Sequence, residues 1–168
     1  RLNGQDWIAD RPRHVYVVAA DGTGSPRNLT PGEFQHDGVA WLADSSGVVT
    51  SAQRHDTWDR DQASDLYVVS LPGDESCGDP TIRCLTAHDG NYGSPSVSPD
   101  GSVVAFIGSP DSLTYPQNAR VGVLPIDADR ADHDEIRWVG TGLDRTFHPT
   151  SGSRPPVWES HDVLLAVA

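Results

Sequence analysis

Between residues 94 and 108 the chain reads SPSVSPDGSVVAFIG, in which apolar positions alternate with small or polar ones on both sides of a Pro-Asp-Gly turn. That alternation predicts two short strands joined by a tight hairpin, with Asp100-Gly101 supplying the backbone shapes the turn needs. The same landmark occurs earlier as GVAWLADSSGVVTSA (38–52) and again near the end as RPPVWESHDVLLAVA (154–168). Two other landmarks recur in step with it. One is a β-rich run after polar residues, RHVYVVAA from Arg13, SDLYVVSL from Ser64 and ARVGVLPI from Ala119; the other is a short closing strand, PRNLT, IRCLT and IRWVG.

Leu66 follows Val15 by 51 positions, Leu85 follows Leu29 by 56, and Val121 follows Leu66 by 55. A unit of about 50 residues containing four short strands is the size of a propeller blade. The expected fold is therefore all-β, a partial β-propeller built of four-stranded antiparallel blades. Residues 1–36 carry the last strands of an incomplete blade, 37–90 and 93–142 are complete blades, and 154–168 begin a further one. A closed propeller has about 4 to 8 blades, so the remainder of the ring is expected elsewhere, in the same polypeptide or in a partner. The absence of Met and an Arg at position 1 fit a chain processed or cut from something longer. Trp41 and Trp158 stand where Val97 stands in the middle copy, which predicts one bulky side chain per unit packed between neighbouring blades.

Composition narrows the function classes. Hydrophobic residues make up 36% of the chain, enough for a core, and the 16 Gly and 13 Pro are spread along its length as turn punctuation. A formal charge of -12 would repel a phosphate backbone, so nucleic acid is not an expected partner. No apolar run approaches the roughly 20 residues of a membrane-spanning helix, and the first residues lack a signal-peptide core, so no membrane partner is expected.

The repeat signature PSVSPDGSVVAF is similar to the Trp-Ser-Pro-Asp-Gly signature of TolB-like and peptidase propellers. The longer strings RLNGQDWIADRPRHVYVV and SAQRHDTWDRDQASDLYVV resemble the propeller of prolyl-oligopeptidase-family serine peptidases, of the acylaminoacyl or dipeptidyl peptidase type. That resemblance implies a propeller that caps an α/β-hydrolase domain and gates the access of short peptides to a Ser-Asp-His triad lying outside this segment. The chain itself has no G-x-S-x-G elbow, since GTGSP and TSGSR lack the spacing, so no catalytic residue and no cofactor is expected in it. It also lacks the Glu-Glu pair with which dipeptidyl peptidases of this type hold a free amino terminus. The alternative function is a TolB-like protein-binding propeller without enzymatic activity.

Three groups of residues carry candidate chemistry. The stretch RHDTWDRDQASD (54–65) is longer and more charged than a hairpin needs, and Arg54, Asp56, Trp58, Asp59 and Arg60 are the candidates for contact with substrate or with the hydrolase domain. Five of the seven histidines precede an aspartate, at 36, 55, 88, 133 and 161. Metal-dependent phosphohydrolases use such pairs on packed helices, and no stretch here has helical periodicity, so the expectation is polar loop residues and no metal. Cys77 and Cys84 flank GDPTIR and either form a disulfide or stay as thiols; a bond would imply an oxidising, secreted setting, whereas a cytoplasmic location is favoured otherwise. Asn28 begins a formal N-L-T sequon.

Overall fold

The computed structural model describes residues 12–71, 79–114, 116–147 and 154–168, and the opening residues of the first peptidase-like string, the N-terminal part of the incomplete blade and Cys77 lie outside them. Among the described residues there is no helix. Twelve strands follow in chain order: β1 (Tyr16–Val17), β2 (Arg27–Asn28), β3 (His36–Trp41), β4 (Gly47–Ala52), β5 (Asp65–Ser70), β6 (Ile82–Cys84), β7 (Asn91–Val97), β8 (Val103–Ser109), β9 (Arg120–Pro125), β10 (Arg137–Val139), β11 (Val157–Trp158) and β12 (Leu164–Leu165). They form two four-stranded antiparallel sheets, β3-β4-β5-β6 and β7-β8-β9-β10, flanked by the two-stranded pairs β1-β2 and β11-β12. Sequential antiparallel strands in successive stacked sheets are the blades of a propeller. The fold is all-β, a partial β-propeller.

The repeat is written into the register. Tyr16 faces Asn28, Tyr67 faces Cys84 and Gly122 faces Trp138, so the three closing strands pair in the same phase. Val15 and Leu66 each receive an N–H bond from a leucine, Leu29 and Leu85 respectively, both at 2.8 Å. Their own amides donate to the hydroxyls of Thr30 and Thr86, at 3.0 and 3.2 Å. The "LT" ending is thus a clamp that shuts the outer hairpin of a blade.

Turn chemistry repeats as well. At the β7–β8 turn Gly101 takes φ +74°, where a side chain would be strained, and the Asp100 carboxylate accepts the Ser98 hydroxyl at 2.6 Å and the Ser102 amide at 3.1 Å. These bonds favour the charged form and hold the carboxyl down to about 2. Asp44 does the same for the Ser46 amide and hydroxyl at the β3–β4 turn. Both inner strands also break register at one place, between Asp37 and Val39 in β3 and between Gly93 and Ser96 in β7, with Gly38 and Ser94 at positive φ. A β-bulge has been copied along with the blade.

The second strand of each complete blade is covered on both faces: every residue of β4 is buried, Thr50 and Ser51 included, and so are the five central residues of β8. Along β4 and β5 the side chains alternate between two cores. Val49 and Leu66 join Tyr92, Phe106 and Leu124 in the core between the two complete blades, while Val48 and Val69 join Leu29 in the core toward the first pair. Trp158 packs as the repeat predicts, half-buried with its indole N–H on the Ser96 carbonyl of β7 at 3.0 Å. Trp41 is 52% exposed. The inner strand it would reach, in the blade before β3, is not among the described residues.

Candidate functional site

The segment between β4 and β5 folds into a compact loop. The Arg60 and Asp61 amides donate to the Thr57 carbonyl, and the Thr57 hydroxyl bonds the Asp61 carboxylate at 2.6 Å. On its outer side the loop walls a groove of about 780 Å³ whose other walls come from Arg13, from Asp37 in β3 and from Tyr92 and Ser94 in β7. Trp58, Asp59 and Arg60 line this groove. Trp58 is half-buried and meets Phe34 edge-to-face at 6.2 Å, while Arg60, 77% exposed, lies 3.8 Å from Asp59. Across the groove Arg13 pairs with Asp37 at 2.9 Å.

The other two candidates of the loop lie elsewhere. Arg54 turns inward, its guanidinium 5.0 Å from the Phe34 ring centre and donating to Nε2 of His36 at 3.3 Å. Asp56 is exposed and does not line the groove. Of the five sequence candidates, three come together and two do not.

His36 is 4% exposed. Burial, then the charge of Arg54 and then His14, push its pKa down from 6.5 to about 3. The folded state therefore refuses a proton that the unfolded chain takes up below pH 6.5, and stability must fall as the pH drops toward 3. The expected slope is about 1.4 kcal/mol per pH unit from this group alone. Urea unfolding between pH 6 and pH 4 checks it: His36→Gln should remove that part of the slope, and an unchanged slope would contradict the assignment.

Behind the loop lies a second, more buried constellation. Asp65, at the start of β5 and 0% exposed, accepts the Thr86 hydroxyl at 2.7 Å and the His88 amide at 3.0 Å, and its second oxygen bonds Nδ1 of His88. His55 sits beside it, donating from Nε2 to Asp61 at 2.9 Å, with its ring 5.2 Å from that of His88. Donor atoms of His55, Asp65 and His88 all lie within 4.8 Å of one another.

Of the five histidines that precede an aspartate, His161 does meet its neighbour, Asp162, at 2.9 Å. The fold pairs three others with more distant aspartates: His55 with Asp61, His88 with Asp65, and His133, which lies 3.6 Å from Asp134, more closely with Asp89 at 2.8 Å. The last pair bridges two blades and raises the His133 pKa through the hydrogen bond to Asp89. Asp89 also accepts the Tyr92 hydroxyl at 2.7 Å. Asp65 closes the charged stretch 54–65 and His88 is one of the five histidines before an aspartate, but local spacing does not join them; the repeat does, since it places the residue before "LYVV" and the second residue after "LT" at one end of the same hairpin.

Cys84 is a buried free thiol, 3.1 Å from the Thr86 carbonyl to which it donates, and burial pushes its pKa up. Asn28 of the sequon is half-buried, and its side-chain oxygen accepts the Thr30 amide at 2.9 Å.

Comparison with known proteins sets this geometry beside solved structures, TolB among them. No protein-family model matches the chain, and no curated protein matches it by sequence. The chain is similar in structure to TolB from Acinetobacter baumannii, at 12% sequence identity and a TM-score of 0.46, over 79% of this chain and 26% of that one. It spans about a quarter of the length of that structure.

Proposed function

We propose that this chain is a non-catalytic docking segment of a β-propeller, whose groove beside Trp58 receives an extended, basic polypeptide segment. The observation that carries this reading is the open edge of β3. Among the described residues that strand is ladder-paired only with β4, its one further backbone bond being the His36 amide to the Arg13 carbonyl at 2.9 Å; Asp37, Gly38 and Val39 are exposed, and all three line the groove. An extended chain added along such an edge gains main-chain hydrogen bonds, with side-chain pockets giving selectivity. Trp58 offers the rigid aromatic anchor that dominates such contacts. The net charge of -12 steers a cationic partner toward it.

A second reading is favoured by the resemblance of residues 51–69 to peptidase propellers. The same groove would then screen peptides for an α/β-hydrolase domain of the parent serine peptidase, holding short or unfolded segments and excluding folded ones. The two readings share the groove and differ in the fate of what it holds, since an attached hydrolase domain would cleave the bound peptide.

Fluorescence anisotropy with two labelled, extended peptides, one rich in Lys and Arg and one rich in Asp and Glu, tests the docking. The cationic peptide should bind at micromolar strength, and Trp58→Ala should weaken it about tenfold or more, the loss of a central aromatic anchor. Equal binding of the two peptides, or an unchanged affinity in Trp58→Ala, would overturn the proposal.

A further inference from the structure

We propose that His55, Asp65 and His88 form a site for one divalent transition-metal ion of the zinc class, which ties the loop after β4 to the ends of β5 and β6. Two imidazole nitrogens and one carboxylate oxygen are a donor set that zinc accepts, and three protein ligands leave the fourth position open. Tetrahedral coordination with bonds of about 2.0–2.2 Å puts donors about 3.3–3.6 Å apart. The three donors lie within 4.8 Å of one another, and rotation of two imidazole rings covers the difference.

An unpartnered atom points into this space. The His55 side chain is only 7% exposed, and its Nδ1 has no hydrogen-bond partner. Because Nε2 donates to Asp61, the neutral ring presents a lone pair at Nδ1, which faces Oδ2 of Asp65 at 3.9 Å. Two buried acceptors turned toward each other repel, and a cation between them converts that repulsion into two bonds. Asp61 already stands as the outer partner that orients a metal-bound histidine. Its carboxylate is fixed by the Thr57 hydroxyl and by the Ala63 amide at 3.0 Å.

His88 supplies the third ligand and a distinctive competitor. Its Nδ1 proton is held by Asp65, and its Nε2 accepts from Arg130 at 3.0 Å. When the metal takes Nδ1, the ring proton passes to Nε2, which then faces another donor in Arg130. The protons on the ring are conserved in this exchange. Arg130 is exposed and can turn into solvent, so it opposes binding without blocking it.

The test is zinc titration calorimetry on the chelator-stripped whole chain, with cobalt absorption as a second probe. The expected result is one equivalent per chain, weakened at least about tenfold in His55→Gln, as for loss of metal-site groups generally, and tightened several-fold in Arg130→Gln. The cobalt complex should show ligand-field bands without thiolate charge transfer. Absence of stoichiometric uptake, uptake unchanged in His55→Gln, or a thiolate band pointing to cysteine ligands would overturn the site. Should His55→Gln fail to fold, the surface variant Arg130→Gln decides alone, and no gain in affinity there also overturns it.

Discussion

Replacing Asp65 with alanine is expected to destabilise the metal-free protein by about 3–5 kcal/mol, the range for removing one partner of a buried charged network. The carboxylate is fully buried and serves three donors: the Thr86 hydroxyl, the His88 amide and the His88 ring. Thr86 in turn accepts the Leu66 amide, so the loss runs through the clamp that closes the β5–β6 hairpin. It also frees His88, a non-glycine residue held at φ +64°, a conformation that persists only when its surroundings enforce it. Thr86→Val removes the hydroxyl alone and should cost less, about 1–3 kcal/mol. Urea denaturation measures both. A loss below about 1 kcal/mol in Asp65→Ala would mean that the network does not hold the blade together.

The blade architecture was legible because the information is periodic. Offsets of 51 between Val15 and Leu66 and of 56 between Leu29 and Leu85 are the same offsets that relate the paired residues Tyr16 and Tyr67, and Asn28 and Cys84. A hairpin repeated in sequence must repeat in register when its hydrophobic faces are fixed. The site was legible only in part. Trp58, Asp59 and Arg60 stood out as an over-long charged loop, and they do line the groove. Arg54 belonged to the same string but is drawn inward by the Phe34 ring and the His36 lone pair, neither of which a linear reading places beside it. The His55–Asp65–His88 group escaped because its members are brought to one end of a blade by two different strand connections. Their sequence neighbours, Asp56 and Asp89, face elsewhere: Asp56 into solvent and Asp89 toward Tyr92 and His133. For Trp41 the repeat gives a position, but what its side chain packs against depends on the inner strands of the blade before it, which lie outside the described residues.

Phe106→Ala should cost about 3–5 kcal/mol, as large-to-small changes of a buried aromatic do. Phe106 is 0% exposed and meets Tyr92 and Trp138 edge-to-face at 5.4 and 5.9 Å, so its ring joins β7, β8 and β10. The space it fills exists because its cross-strand partner is Gly122. A Cβ at position 122 would come within 2.4 Å of the ring, closer than contacting atoms tolerate, so Gly122→Ala should cost about 1–3 kcal/mol by overpacking. With the ring removed the same methyl meets no clash and refills part of the cavity. The double variant is therefore expected to be more stable than the two single losses predict, with a coupling of at least about 1 kcal/mol, which is within the range seen for contacting residues. Strict additivity across that double-mutant cycle would show that Phe106 and Gly122 do not share this space, and that the contact between inner and outer strands of the blade is made by Tyr92 and Trp138 instead.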